Sequence, residues 1–362
     1  MDPSTALFYE KTRSGRKLLV VDLGFLGDTI HLVPALWDIK RAYPDASLNV
    51  VTSRVGAEVL QMAPCVDRCW GVEMHKDKRT LGQQWQILRQ LRKERFDAAF
   101  NFSGADRTLF WSALSAARVR MGYPGGRSHF WNRWLVPLWT CRQDPDLTVY
   151  KRHRQVLADC GVPLGEPCFE LQLAASDVAW AASAVPEFSI HISVNASKPS
   201  REWPLEHHAE LLRSLWTTHP TLVVVVSSSA RAREQERLKA LSAVVQDPRL
   251  KTLPETLTIP RLAAALKRTR LHIGPDSGVL HLAFALGVPT ISFFREQGHY
   301  RAFLPEGKSH HTIVVPCTCP DERTSPCERL RRSECFAQIK PRRVANLVRQ
   351  ELDSLRDSLQ PP

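Results

Sequence analysis

The chain of 362 residues is 43% hydrophobic and 24% charged, with a formal net charge of +12. That is length for two α/β domains and apolar content for real cores, and the basic balance favours anionic partners. No apolar segment follows the basic residues of the N-terminus and the longest aliphatic run, Leu222–Val226, is too short to span a bilayer, so a cytosolic protein without a secretory signal is expected.

In chain order, Lys17–Leu23 reads as a buried parallel strand, followed by a glycine loop and a helix to about Tyr43. Leu48–Thr52 is the next strand, with a helix around Val55–Ala63, an amphipathic helix over 83–95 and a strand at Phe96–Phe102. This β-α-β-α-β rhythm implies a doubly wound parallel sheet. From Arg118 to Arg154 there are eight Arg or Lys against two acids, with Trp131, Trp134 and Trp139 among them. A solvated basic face explains such a stretch, as does a surface that docks a phosphorylated, membrane-bound substrate. No nucleic-acid recognition motif accompanies the charge, so nucleic acid is not the expected partner.

Strong signals are few between Leu171 and Pro186, where the domain connection is expected. A second series follows. Strands are expected at Ile190–Val194, Leu222–Ser227, Leu271–Ile273 and Thr290–Phe294. Helices are expected at Pro204–His219, Arg231–Val244, Ile259–Lys267 and Gly278–Leu286, with a terminal helix over 341–358 opened by Pro341. The expected division is an N-terminal domain over 1–172, a C-terminal domain over 173–340 and the terminal helix segment 341–362.

Ligands of open α/β sheets bind beyond the carboxyl ends of strands, and three loops of that kind carry suggestive residues. Gly24-Phe-Leu-Gly27-Asp28 turns tightly after the first strand, without the GxGxxG spacing of a dinucleotide site. Asp28 fits a helix cap or a general base whose pKa burial would raise, and His31 is a rival base or an orienting partner. The loop Asn195–Pro204 places Ser197, Lys198 and Arg201 before a helix, which suits a phosphate or an exposed polar loop. Gly274-Pro-Asp276-Ser277-Gly278-Val279-Leu-His281 opens an apolar helix. Its N–H groups suit a diphosphate, while Asp276 caps the helix or accepts hydrogen bonds from sugar hydroxyls.

The segments GFLGDTIHLVPAL, SREWPLEHHAELL and GPDSGVLHLAFALGVPTISFF resemble the signature segments of glycosyltransferase family nine, the ADP-heptose:lipopolysaccharide heptosyltransferases, over about Leu18 to Val344. The resemblance implies a GT-B fold of two facing Rossmann-like domains, the acceptor held mainly by the first and the donor by the second. It places the base at Asp28 and the donor-binding aspartate at Asp276, with Ser277, Gly278, Val279 and His281 around the diphosphate and sugar. Ser197 stands where the family has a threonine. Arg201 stands where the family has a lysine, which changes a point charge into a fork, and Lys198 shares that role. Glu234, with Glu236 as the alternative, corresponds to a ribose contact, and Arg118 and Arg120 to acceptor contacts.

The implied reaction is an inverting transfer of heptose from ADP-heptose to a lipid-linked anionic oligosaccharide of the lipopolysaccharide inner core, at the cytoplasmic face of the inner membrane. It needs no catalytic metal, and no DxD-type pair is present to hold one. Alternatives are an autotransporter-type protein heptosyltransferase, a sugar-nucleotide epimerase and a non-catalytic sugar-nucleotide-binding homologue. Cys317, Cys319, Cys327 and Cys335 crowd into nineteen residues. Four thiols suit a structural zinc or iron, and some relatives carry a cysteine-bound iron there; free or partly oxidised thiols are the other reading.

Overall fold

The computed structural model describes residues 6–74, 81–122, 135–136, 138–139, 144–254, 257–298, 300–319, 326–327 and 333–357. The chain divides into two compact units, Met1–Gln172 and Leu173–Pro362.

In the first unit the strands β1 (Lys17–Val21), β2 (Ser47–Ser53), β3 (Arg68–Val72), β4 (Ala98–Asn101), β5 (Val119–Gly122) and β6 (Leu138–Trp139) alternate with helices. The helices are α1 (Phe8–Thr12), α2 (Leu26–Ala42), α3 (Arg54–Leu60), α4 (Leu81–Glu94), α5 (Asp106–Leu114) and α6 (Val149–Asp159). The strands form one parallel sheet in the order β3-β2-β1-β4-β5-β6. Leu18, Leu19, Val20 and Val21 are all fully buried, because a parallel sheet is covered on both faces and tolerates no polar side. Leu32 and Leu36 of α2 and Val156 and Leu157 of α6 join the core on one face. Ile87, Leu88 and Leu91 of α4 and Trp111 of α5 pack into the core on the other. Right-handed crossovers put them there, since the chain moves one way across the sheet up to β3 and the other way after it.

The second unit repeats the plan. Its strands are β7 (Ser189–Ile192), β8 (Val223–Val226), β9 (Leu250–Thr252), β10 (His272–Pro275), β11 (Thr290–Glu296) and β12 (His310–Pro316). They run parallel in the order β12-β11-β10-β7-β8-β9, so both sheets reverse direction between their first and fourth strands. Its helices are α7 (Ala175–Ala184), α8 (Leu205–Thr218), α9 (Ala232–Val245), α10 (Ile259–Arg268), α11 (Gly278–Ala285) and α12 (Pro341–Asp357), the last packed on α8 and β11. One face of this sheet carries the large apolar core of Trp203, Trp216, Phe293 and Phe336. The interior also holds a polar seam: His191 Nδ1 lies 2.9 Å from His272 Nδ1, and His191 Nε2 lies 2.9 Å from Ser227 Oγ. Burial holds His191 neutral, pushing its pKa down to about 3.

Two sequence expectations change. The stretch between Leu171 and Pro186 contains a helix, α7, whose Ala-rich composition and single buried residue, Ala181, leave little amphipathic pattern to read. The strand expected from Phe96 begins only at Ala98, because Asp97 turns its carboxylate back to the N–H groups of Arg16 and Lys17. No helix among the described residues is long and apolar enough to cross a membrane.

Candidate functional site

Open sheets bind ligands at the point where the strand order reverses, which here means the loops after β1 and β4 and those after β7 and β10. In the first unit β1 runs into Asp22, then Gly24, and α2 begins at Leu26. Asp28 lies in the first turn of α2, and its Oδ2 accepts a hydrogen bond from the Phe25 N–H at 2.8 Å. The carboxylate thereby satisfies a backbone donor left open at the helix start and stays half-buried at the tip of the sheet. Gly24 is required here: a Cβ at this position would stand 2.4 Å from Asp28 Cβ.

A second carboxyl, not singled out from the sequence, lies beneath. Asp22 is 5% exposed and accepts from the Gly24 N–H at 3.1 Å. Burial first, and then the charge of Asp28, push its pKa up to about 7. Two carboxylates thus share one short turn. Only a strand-end position two residues before a glycine hinted at it.

The other first-unit expectations are corrected. The His31 ring is buried, stacked on Tyr150 at 6.2 Å and edge-on to Phe169 at 6.4 Å, so it packs the core behind the loop. Arg118 precedes β5 at the amino end of the sheet, where it pairs with Asp97 at 3.8 Å, at the opposite edge from Asp28. Arg120 spends its guanidinium on the carbonyls of Leu135 and Ala117 at 3.0 and 2.8 Å. Nor is the basic stretch one open surface. Arg152 holds the Leu147 carbonyl at 2.8 Å, and Arg154 pairs with the buried Asp38 at 2.6 Å. Arg127, Arg133, Arg142, Trp131 and Trp134 lie outside the described residues.

In the second unit the two expected donor loops follow β7 and β10, the strands that flank the reversal. An ion pair joins them: Arg201 Nη1 stands 3.2 Å from Asp276 Oδ2, and Asp276 Oδ1 stands 3.2 Å from His281 Nε2. The arginine offsets the charge of a carboxylate that would otherwise repel an anion at the start of the helix. Ser277 forms the N-cap of α11, and its buried Oγ has no hydrogen-bond partner among the described residues. Gly278 and Val279 start the helix, whose open N–H groups and dipole favour an anion. Ser197 is exposed and Lys198 half-buried on the facing loop.

That loop is anchored from below. Glu202, 5% exposed, accepts from the Ala196 N–H at 3.1 Å and pairs with Arg233 at 2.5 Å and Arg237 at 3.4 Å, both on α9. Glu234, after β8, accepts from the Ser229 N–H and hydroxyl at 3.0 and 2.8 Å. Asn195 reaches the Glu234 carbonyl at 3.4 Å, which ties the loops after β7 and β8 together. Glu236 is exposed.

The four clustered cysteines also converge. Cys317 and Cys327 lie near enough to act by charge on the thiols of both Cys319 and Cys335. Burial above all pushes the Cys335 thiol up to about 12. Four sulfurs suit zinc or iron by donor type. Among the described residues, no three ligands stand in an arrangement preset for a metal ion.

Two doubly wound parallel domains, one with a carboxylate turn and one with a loop pair joined by Arg201 and Asp276 at the sheet reversal, define a protein of the GT-B architecture. A profile of glycosyltransferase family 9 (heptosyltransferase) matches residues 84–330, and the chain belongs to this family of glycosyltransferases. The chain is 25% identical over 290 residues to the lipopolysaccharide core heptosyltransferase OpsX of Haemophilus influenzae, covering 78% of this chain and 80% of the relative. It is 26% identical over 375 residues to lipopolysaccharide heptosyltransferase 1 of Pseudomonas aeruginosa, covering 91% and 96%. Among solved structures, ADP-heptose lipopolysaccharide heptosyltransferase II of E. coli superposes with a TM-score of 0.74 at 18% identity, over 94% of this chain and 99% of that one.

Proposed function

We propose that the protein transfers a heptose from ADP-heptose to an inner-core lipopolysaccharide acceptor, with inversion at the anomeric carbon. The observation that carries this reading is the Arg201–Asp276–His281 cluster at the strand reversal of the second sheet, in a chain of the heptosyltransferase family. Asp276 accepts hydrogen bonds from the sugar, while Arg201, Lys198, the Ser277 hydroxyl and the N–H groups of Gly278 and Val279 hold the diphosphate. Asp28 takes the proton of the acceptor hydroxyl. The acceptor oxygen bonds to the anomeric carbon as the bond from that carbon to the diphosphate oxygen breaks, and ADP leaves with the electron pair. Each well-placed donor to the growing charge contributes about 3–4 kcal/mol. The four cysteines take no part in transfer, and the lipid-anchored acceptor brings the protein to the cytoplasmic membrane surface.

A panel of nucleotide sugars beginning with ADP-heptose tests the donor, and the anomeric configuration of the product tests inversion. Asp28→Ala is expected to bind donor normally and to lose turnover by at least ~100-fold; near-normal transfer would remove Asp28 from the role. Elemental analysis of purified protein separates the two readings of the cysteine cluster: near-stoichiometric zinc or iron assigns it to a metal, and its absence leaves four free thiols.

A further inference from the structure

Helices α4 and α5 lie side by side on one face of the first sheet, since the crossovers from β3 to β4 and from β4 to β5 run the same way. Both start at the carboxyl edge of the sheet. Trp85 is the fifth residue of α4 and Phe110 the fifth of α5, so each lies about 6 Å along its helix from the first residue at 1.5 Å per residue. Neither ring is used by the core. Trp85 is 55% exposed, Phe110 46% and Leu114, one turn beyond Phe110, 41%, whereas Ile87, Leu88, Leu91 and Trp111 take up the inward side.

Charge completes the pattern. One and two turns beyond Trp85 the exposed side of α4 carries Arg89, Arg92 and Lys93. The only acid of α4, Glu94, is drawn away to Lys17 at 2.8 Å and Arg68 at 2.9 Å. No ion pair among the described residues neutralises Arg89, Arg92 or Lys93, in contrast to Arg118 and Arg154. Exposed aromatic rings near the starts of two neighbouring helices, bordered by cations that no described acid pairs with, match the interface of a bilayer: indole and phenyl rings settle at headgroup depth, and cations meet anionic headgroups.

We propose that the α4–α5 face docks the protein on an anionic lipid bilayer, with Trp85 and Phe110 entering the interface and Arg89, Arg92 and Lys93 facing the headgroup charge. The assignment shares with the proposed function the lipid anchor of the acceptor but does not depend on which sugar is moved.

The test is sedimentation of the full chain with phosphatidylcholine vesicles that contain or lack phosphatidylglycerol. Binding is expected to the anionic vesicles only, and to weaken with added salt. The pair Trp85→Ala with Phe110→Ala, and the pair Arg89→Glu with Arg92→Glu, are each expected to weaken it at least ~ten-fold, with unchanged circular dichroism. Trp85→Tyr, which keeps an interfacial ring, is expected to retain it. Unaltered vesicle binding in both double variants overturns the proposal, as does equal binding to neutral vesicles. A change in oligomeric state in the lipid-free variants, or loss of nucleic-acid binding in place of vesicle binding, also overturns it and reassigns the face. Transfer to a delipidated, soluble acceptor is expected to be unchanged in every variant, so failure of docking and failure of the heptosyltransferase reading are read separately.

Discussion

Asp22 and Asp28 show how two carboxyls within a stretch of seven residues acquire different chemistry from their surroundings. Asp28 keeps a hydrogen-bond donor and partial access to water, whereas Asp22 is buried beneath it and titrates near neutrality. Folding raises the Asp22 pKa from 3.8 to about 7. Its contribution to stability is therefore full below the unfolded value and is lost as pH rises through the folded one. Asp22→Asn is expected to raise the melting temperature more at pH ~8 than at pH ~5, by ~2–4 °C for each kcal/mol recovered, and thermal melts at both pH values check it. Gly24→Ala would place a methyl group 2.4 Å from Asp28 Cβ. The turn must then open, and transfer is expected to fall by ~10-fold or more with donor affinity intact, measured as separate kcat and donor Kd. Asp28 was legible in the sequence because a glycine–aspartate turn after an apolar strand is a recognisable place for chemistry. Asp22 was not, since a carboxylate at a strand end looks solvent-facing until the neighbouring strands and helix close over it.

At the scale of elements, the second-unit loops owe their geometry to a buried anchor. Glu202 fixes the Asn195–Trp203 loop through Arg233 and Arg237 of α9. Glu202→Gln is expected to cost about 2 kcal/mol in urea denaturation, less than a fully buried pair because Arg233 is partly exposed, and to weaken donor binding through the loosened loop. The helix start at Gly278 and the loop at Asn195 were legible as structure because strand, glycine or proline, and helix follow one another within a few residues. Their pairing through Arg201 and Asp276, 75 positions apart, is set by strand order, which local pattern does not encode. For the same reason Arg118 and Arg120 looked suited to an anionic acceptor, yet strand direction put one at the far edge of the sheet and a backbone carbonyl claimed the other.

Across the whole molecule, buried histidines distinguish the units. His191, His208 and His272 are buried in the second and His153 in the first, with His31 packed among aromatics. Burial depresses the pKa of the first four, to about 3 for His191 and His208 and about 4 for His153. The unfolded chain takes up these protons first, so stability falls as pH drops below about 6.5. Calorimetry is expected to show the second unit losing more than the first between pH ~7 and pH ~5; equal losses would argue against the buried, neutral seam.

The alternation of strands and helices and the doubly wound class were legible in the sequence alone, because apolar period, glycine and helix-start residues act over a few positions, whereas the strands β3, β5, β6, β9 and β12 were not anticipated. Which loops meet, which carboxyl is buried and which cations find an acidic partner was decided only by the tertiary structure. Those properties depend on distances between residues far apart in the chain, and distance in turn sets desolvation and Coulomb energy.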